Sequence, residues 1–191
     1  MNKKDIISFF DNFAPDWDNM NEQNGEVIEQ ILDNGGICEN TRVLDVACGT
    51  GVLFPHYIER KAIVTGIDIS PEMVKIAKEK HPQINVICGD AESISFGEEF
   101  DEIMIFNAFP HFHDPKKVIE NLAKSLKKGG RLSIAHGASR EEINRCHSGK
   151  AKAISHILPE TDEIKELLSP LFNVDIVISD DRMYQVSGIK R

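Results

Sequence analysis

Short apolar runs of strand length alternate with amphipathic stretches of helical periodicity through the middle of the chain. Most positions in these runs are apolar, which is typical of strands that are buried on both faces of a parallel sheet. Ser70-Pro71-Glu72 and Asp114-Pro115 carry the cap and first-turn residues that begin helices. The alternation therefore predicts a mostly parallel sheet covered by helices. Its strands are predicted at residues 42–47, 62–68, 84–88, 102–107 and 130–136.

Three segments lie outside this alternation. Residues 1–34 predict two helices, each with an apolar stripe, and residues 138–159 form a polar insert after the fifth strand. Residues 172–189 predict two further strands joined by a turn at Asp180-Asp181, which is the pattern of an antiparallel hairpin at the end of the sheet. Because no repeat or low-complexity linker divides the sequence, we expect one domain over residues 1–191.

The amino-acid composition limits the kinds of molecule that the protein is expected to bind. The 22 Lys and Arg residues are outnumbered by 31 Asp and Glu residues, and the resulting net charge of −9 disfavours binding to nucleic acid. No apolar run approaches the roughly 20 residues of a membrane span, and the first residues lead into no signal-peptide core. The four cysteines show no CxxC spacing. We therefore expect a cytoplasmic protein that binds neither nucleic acid nor a membrane.

The strongest local signal is residues 45–51, with the sequence DVACGTG, between the first strand and a helical pattern. Small residues here allow a tight turn that brings the backbone close to a ligand at the carboxyl end of a strand. Asp68 ends the next strand, where its carboxylate can accept hydrogen bonds from both hydroxyls of a ribose. A dinucleotide fingerprint requires glycine at the position of Phe54, and no Lys-Ser or Lys-Thr follows to complete a P-loop.

In these residues the sequence resembles the class I S-adenosylmethionine-dependent methyltransferases, particularly the small ones of the ubiquinone and menaquinone biosynthesis type. The resemblance implies a Rossmann-like, doubly wound, mostly parallel seven-stranded sheet with a C-terminal antiparallel hairpin and helices on both faces. It also implies S-adenosyl-L-methionine as the cofactor, bound at the carboxyl edge of the sheet. The motifs that carry the resemblance occur in the family's order, at residues 45–51, 68–73, 89–92 and 106–109.

The resemblance also assigns a role to each of these positions. Asp45 and the loop carbonyls would accept hydrogen bonds from the ammonium group, and Asp68 would hold the ribose. Ile69 and Met73 would enclose the adenine, and Asp90 would accept a hydrogen bond from its amino group. An aromatic residue of the N-terminal helices, either Phe13 or Trp17, would cover the cofactor. The predicted cofactor-binding residues are Trp17, Asp45, Ala47, Gly49, Gly51, Asp68, Ile69, Met73, Asp90, Ala91 and Asn107.

The segment after the fourth strand narrows the range of molecules that could accept the methyl group. Amino-group methyltransferases of nucleic acids and proteins often carry [Asp/Asn]-Pro-Pro-[Tyr/Phe] there, whereas residues 107–110 of this chain read NAFP. Together with the negative charge, this departure favours a small-molecule acceptor with an oxygen, sulfur or carbon nucleophile. His111 and His113 follow immediately, and we expect one or both to act as a general base or to bind the acceptor. No ligand spacing around them indicates a metal site.

The polar insert and two alternative functions complete the sequence-based predictions. In the family the segment equivalent to residues 138–159 commonly forms part of a substrate lid, and Arg140 or Arg145 would there meet an anionic acceptor. A non-catalytic module that binds S-adenosylmethionine would retain the same cofactor motifs. A nicotinamide-dependent oxidoreductase would share the order of strand, loop and helix, followed by a second strand that ends in an acidic residue. The sequence favours no particular oligomeric state.

Overall fold

The computed structural model describes residues 2–20 and 23–191, and seven strands form a single sheet in these ranges. The strand order is β3-β2-β1-β4-β5-β7-β6. β1 to β5 are parallel, and β7 runs antiparallel between β5 and β6. The strands are β1 (Arg42–Val46), β2 (Ile63–Asp68), β3 (Asn85–Cys88), β4 (Phe100–Phe106), β5 (Leu126–His136), β6 (Phe172–Ser179) and β7 (Tyr184–Lys190). The predicted fold class is confirmed.

Helices cover both faces of the sheet, and side chains cap them where the sequence predicted. The hydroxyl of Ser70 accepts a hydrogen bond from the Met73 amide at 3.2 Å, and Asp114 accepts one from the Lys117 amide at 3.0 Å. The helices are α1 (Lys3–Phe13), α2 (Trp17–Met20), α3 (Gly25–Asn34), α4 (Phe54–Glu59), α5 (Pro71–Lys80), α6 (Pro115–Ser125), α7 (Arg140–His147) and α8 (Thr161–Leu168). Each of them, within the described ranges, falls short of the length and apolarity that crossing a membrane requires.

Alternate residues of the central strands build two apolar cores, one on each face of the sheet. Leu44 of β1 and Ile103 of β4 belong to the core that α6 and α8 cover. Val43 and Met104, their neighbours in sequence, belong to the core that α3, α4 and α5 cover. The helices change face between β1 and β4, so the loops that follow these two strands diverge at the carboxyl edge of the sheet. This divergence opens the space in which the candidate site lies.

A close contact between α4 and β2 fixes the helix that follows the glycine-containing loop. The ring of Phe54 is fully buried, and it lies directly over Gly66 of β2. A methyl group on Gly66 would be 2.7 Å from Cζ of Phe54 and 3.0 Å from Sγ of Cys48. Only glycine therefore allows α4 to pack this closely against the sheet.

We predict that Gly66→Ala lowers the free energy of unfolding by about 1–3 kcal/mol, because the added methyl group overpacks the buried ring. Denaturant unfolding measures the change. Gly25→Ala is the matched control, since a methyl group at that glycine meets no atom within 4 Å. Equal stability of the two variants would contradict the proposed packing constraint.

Candidate functional site

A cavity of about 320 Å³ lies at the carboxyl edge of the sheet, and residues of the loops after β1 to β5 line it. Its floor is formed by the ends of these strands and its cover by the N-terminal helices and α7. Most of the residues predicted to bind the cofactor line it. They are Trp17, Ala47, Gly49, Asp68, Ile69, Met73, Asp90, Ala91 and Asn107. His111 and His113 line the same cavity.

The loop after β1 adopts a conformation that explains its small residues. Ala47, Gly49 and Gly51 have positive φ angles of 56°, 55° and 86°, in the left-handed region that disfavours larger side chains. The Cys48 amide donates to the Ile67 carbonyl at 3.1 Å, and the Gly51 amide donates to the Cys48 carbonyl at 2.9 Å. These bonds hold the loop against the end of β2, with its backbone facing the cavity.

Asp68 connects this loop to the start of α5. One carboxylate oxygen accepts the Gly49 amide and the other accepts the Ser70 amide, each at 2.8 Å. Burial raises the pKa of Asp68 to about 6, and the hydrogen bonds from Ser70, Gly49 and Ile69 oppose that rise. Each carboxylate oxygen has a second lone pair, so both can accept a further hydrogen bond from a ligand in the cavity.

The residues that follow β3 form an acidic wall of the cavity. Two carboxylates of this wall are ion-paired with a lysine of α1. Nζ of Lys3 lies 2.6 Å from Oδ2 of Asp90 and 2.6 Å from Oε2 of Glu92. The other oxygen of Asp90 accepts the Glu92 amide at 2.9 Å. A ligand that donates to Asp90 therefore shares this carboxylate with Lys3. The sequence did not predict the lysine contact, which joins residues 87 positions apart.

Phe10 and Trp17 form the aromatic part of the cover, and Phe13 does not. The rings of Phe10 and Trp17 line the cavity with centroids 5.4 Å apart and nearly perpendicular planes. Phe13 is instead packed on Phe9, with a centroid distance of 4.7 Å, and is not among the lining residues. Because Phe10 lies two helical turns before Trp17, the seven-residue spacing was the available sequence signal for this pair.

Two aspartates fasten the N-terminal helices to the elements beneath them. Oδ1 of Asp11 accepts a hydrogen bond from the Ser70 hydroxyl at 2.5 Å. Oδ1 of Asp18 accepts one from the Thr50 hydroxyl at 2.5 Å, while its Oδ2 lies 2.6 Å from Nζ of Lys80. The cover is therefore attached to the loop after β1 and to both ends of α5.

His111 is held in a defined tautomer at one end of the cavity, where its ring lies 5.0 Å from that of Phe10. Nδ1 lies 3.0 Å from the Ile154 carbonyl and 3.1 Å from the Ser155 hydroxyl, whose own proton is donated to the Ala151 carbonyl. Because a carbonyl only accepts, Nδ1 carries the hydrogen and Nε2 of the neutral ring carries the lone pair. Burial lowers the pKa of His111 to about 4. His113, in contrast, is exposed.

His136 ends β5 and is the most buried histidine that borders the cavity. Its ring is fully buried, and neither ring nitrogen has a hydrogen-bond partner. Burial lowers the pKa of His136 to about 3, and the neighbouring His147 and His111 lower it further. The ring of His147, on α7, lies 4.9 Å from that of His111. Three imidazoles thus share this end of the cavity.

Asn107 occupies the end of β4 in a conformation that fits few residue types. Its φ angle is 53°, and asparagine is among the residues that tolerate this region best. Nδ2 donates to Oε1 of Gln23 at 2.9 Å, and Oδ1 accepts the Gly137 amide at 3.0 Å. Asn107 therefore links the end of β5 to the segment that leads into α3.

The structure places some candidate residues away from the cavity. Asp45 and Gly51 do not line it, and burial, followed by the proximity of Asp68, raises the pKa of Asp45 well above its usual range. Arg140 donates to the Leu158 and Pro159 carbonyls and pairs with Glu160 at 2.9 Å. Arg145 is an exposed partner of Glu142. Among residues 2–20 and 23–191, no group of three or more His, Cys, Asp or Glu side chains is arranged to hold a metal ion.

Comparisons with known sequences cover the central part of the chain. Residues 43–130 match the family described as "Methyltransferase domain". A demethylmenaquinone methyltransferase of Renibacterium salmoninarum is 31% identical in an alignment of length 137 that covers 69% of this chain and 58% of that protein. A ubiquinone biosynthesis O-methyltransferase of Coxiella burnetii is 33% identical in an alignment of length 144 that covers 68% of this chain and 60% of that protein. The chain spans less than two thirds of either relative.

The fold is also shared with a solved structure. A SAM-dependent methyltransferase from Aquifex aeolicus superposes with a TM-score of 0.71 at 22% sequence identity. The match covers 86% of this chain and 89% of that one. At this level of identity the likeness establishes the common fold.

We predict that burial of neutral His136 makes the protein less stable in mild acid. An unfolded histidine has a pKa of about 6.5, whereas the folded value is about 3, so the unfolded state binds one more proton between these values. His136 therefore lowers the free energy of unfolding by about 1.4 kcal/mol for each pH unit below pH 6.5. His136→Leu removes this dependence, and the variant should gain about 2 kcal/mol relative to the wild type between pH 7 and pH 5.

Denaturant unfolding at several pH values measures this gain. His156→Leu replaces an exposed histidine and controls for the loss of an imidazole as such. A constant stability difference between His136→Leu and the wild type across this pH range would show that folding does not lower the pKa of His136.

Proposed function

Because residues 43–130 match the methyltransferase-domain family, we propose that this protein transfers a methyl group from S-adenosylmethionine to a small-molecule acceptor. This match bears out the resemblance predicted from the sequence. The two relatives are named for demethylmenaquinone and for ubiquinone biosynthesis, which supports an acceptor of small size. The observation that carries the proposal is the carboxylate of Asp68, held between the Gly49 and Ser70 amides and directed at the cavity.

The residues present fit S-adenosylmethionine in shape and in charge. Asp68 offers two lone pairs to the ribose hydroxyls, and the left-handed loop containing Ala47 and Gly49 brings the backbone close to the amino-acid part. Asp90 and Glu92 add negative charge to a wall that would face a cationic cofactor. Phe10 and Trp17 provide an aromatic cover. When bound, S-adenosylmethionine supplies a methyl group on a positively charged sulfur.

His111 is the group best arranged to assist the transfer. Its Nδ1–H is held by Ile154 and Ser155, so Nε2 keeps a lone pair that can accept the acceptor's proton. Nε2 would accept the proton that the acceptor atom loses when it takes up the methyl group. A pKa of about 4 keeps the imidazole neutral at physiological pH, which preserves this lone pair.

Two segments of the chain are proposed to exclude water during the transfer. α1 and α2 are tied down by Lys3, Asp11 and Asp18, and they form the proposed cover over the cofactor. Residues 138–159 form the proposed lid over the acceptor, because His147 lines the cavity and the Ile154 carbonyl holds His111. A closed cavity would favour transfer of the methyl group to the acceptor rather than to water.

The two alternative functions make different demands on the same residues. A nicotinamide-dependent oxidoreductase needs space for a pyrophosphate beside the glycine-containing loop, and Phe54 fills the space between Gly51 and Gly66 with a buried ring. A non-catalytic binding module would have no need of an oriented base, whereas His111 is held in one tautomer next to the cavity. Both observations support an enzyme that transfers methyl groups.

Calorimetric titration with S-adenosylmethionine and S-adenosylhomocysteine tests the cofactor assignment. We expect Asp68→Ala to weaken binding of both about 10- to 100-fold, because it removes a charged acceptor of hydrogen bonds. Asp68→Asn should have a smaller effect, since one oxygen still accepts. Asp181→Asn, in the exposed turn between β6 and β7, is the control. Affinity that is unchanged in both Asp68 variants would place the cofactor elsewhere.

Release of S-adenosylhomocysteine with a panel of small hydroxyl, thiol and carbon acids identifies an acceptor and tests His111. With that acceptor, His111→Gln should lower kcat by about 10²-fold, while the affinity for S-adenosylhomocysteine stays within about twofold. His113→Gln, at an exposed ring, should have a smaller effect, and His156→Gln serves as the control. A wild-type kcat in His111→Gln would remove the residue from the mechanism.

A further inference from the structure

The end of the cavity near β5 is apolar, and it holds no cation that is free to bind an anion. Phe106, Phe112 and Ile143 line it together with Phe10. In the part of the chain that the structure describes, Lys3 is the one lysine or arginine that lines the cavity, and it is paired with Asp90 and Glu92. A carboxylate or phosphate on the acceptor would therefore lose its hydration without gaining a partner of opposite charge from the protein.

His136 has unused hydrogen-bonding capacity at this apolar end. Both of its ring nitrogens are buried without a partner, and Nδ1 of His147 is in the same condition. A buried polar group without a partner costs about 1–3 kcal/mol. A neutral imidazole has one donor nitrogen and one acceptor nitrogen, and a hydroxyl group can pair with either one because it both donates and accepts. Burial of both rings lowers their pKa values, so the uncharged form is the one present.

The position of His136 in the sheet places its ring nitrogens near the proposed site of methyl transfer. His136 directly follows Ala135, whose carbonyl accepts the Asn107 amide at 2.9 Å, so the ends of β4 and β5 are adjacent. Asn107 is one of the residues predicted to bind the cofactor. A hydroxyl group bound by His136 would therefore be held near the transferred methyl group, between the two strand ends.

α7 provides a route to the buried ring. None of its residues is fully buried, and Ile143 packs against the core while only partly buried. Arg140 and Asn144 donate to carbonyls of Leu158 and Pro159 in the same insert, so the helix and the insert would move together. The His147 ring packs edge to face on His111, and its Nδ1 has no hydrogen-bond partner. Because His147 neighbours His136, such a movement would open a path to His136 and leave His147 free to close over a bound acceptor.

We propose that His136 and His147 form the binding site for the acceptor, and that this site takes an uncharged, largely apolar molecule through a hydroxyl group. The inference rests on the proposed function, because it specifies the acceptor of that methyl transfer. His136 is then an acceptor-binding residue that positions the nucleophile, and His111 remains the base. The site selects against anionic acceptors of the same size.

Three ring compounds of similar size test this selectivity in the wild-type protein. Phenol carries the hydroxyl group, toluene lacks it, and benzoate is an anion. Titration of protein labelled with ¹⁵N-histidine, with and without saturating S-adenosylhomocysteine, follows the imidazole nitrogens. We expect phenol to shift the His136 and His147 signals and to bind about tenfold more tightly than toluene, as one hydrogen bond gained by otherwise unpaired groups implies. Benzoate should produce no shift.

Variants at His136 separate hydrogen bonding from packing. His136→Phe should lose the preference for phenol over toluene, and His136→Gln, which keeps a donor and an acceptor, should restore part of it. His156→Phe, at an exposed position, is the control. Equal wild-type affinities for phenol and toluene, or binding of benzoate as tight as that of phenol, would overturn the proposal even if a variant fails to fold. Phenol binding without any S-adenosylhomocysteine binding would instead refute the proposed function and leave the hydroxyl site supported.

Discussion

The carboxylate of Asp68 is the interaction on which the architecture of the cavity depends. It accepts the Gly49 amide from the loop after β1 and the Ser70 amide at the start of α5. Two loops that follow neighbouring parallel strands are thereby fixed at one point. The arrangement requires a buried negative charge, whose cost is evident in the raised pKa of Asp68. The backbone amides that offset this cost are the same ones that give the loop its shape.

Much of the fold and the centre of the site followed from local sequence patterns. The strands were predictable because each central strand is apolar on both faces, and two cores on opposite sides of the sheet require that composition. The proximity of Asp68 to the glycine-containing loop was predictable for a geometric reason. Both segments follow adjacent parallel strands, and the carboxyl ends of such strands meet at one edge.

The remaining features depend on contacts between distant segments, which no local pattern specifies. The choice of Phe10 over Phe13 as the second aromatic residue of the cover depends on how α1 is rotated over the sheet. Arg140 satisfies two carbonyls and Glu160 within the insert, so it turns away from the cavity. The orientation of His111 arises from Ile154, more than forty residues later in the chain. Such arrangements depend on the packing of whole elements against one another.

The pairing of Lys3 with Asp90 and Glu92 gives α1 a role in the electrical potential of the cavity as well as in its closure. With α1 seated, the ammonium group acts as a counter-ion that belongs to the protein and neutralises part of the acidic wall. With α1 displaced, the two carboxylates would lie side by side without it, and the open cavity would attract a cation most strongly. The first turn of the chain therefore couples the opening of the cover to the field that an incoming charged molecule meets.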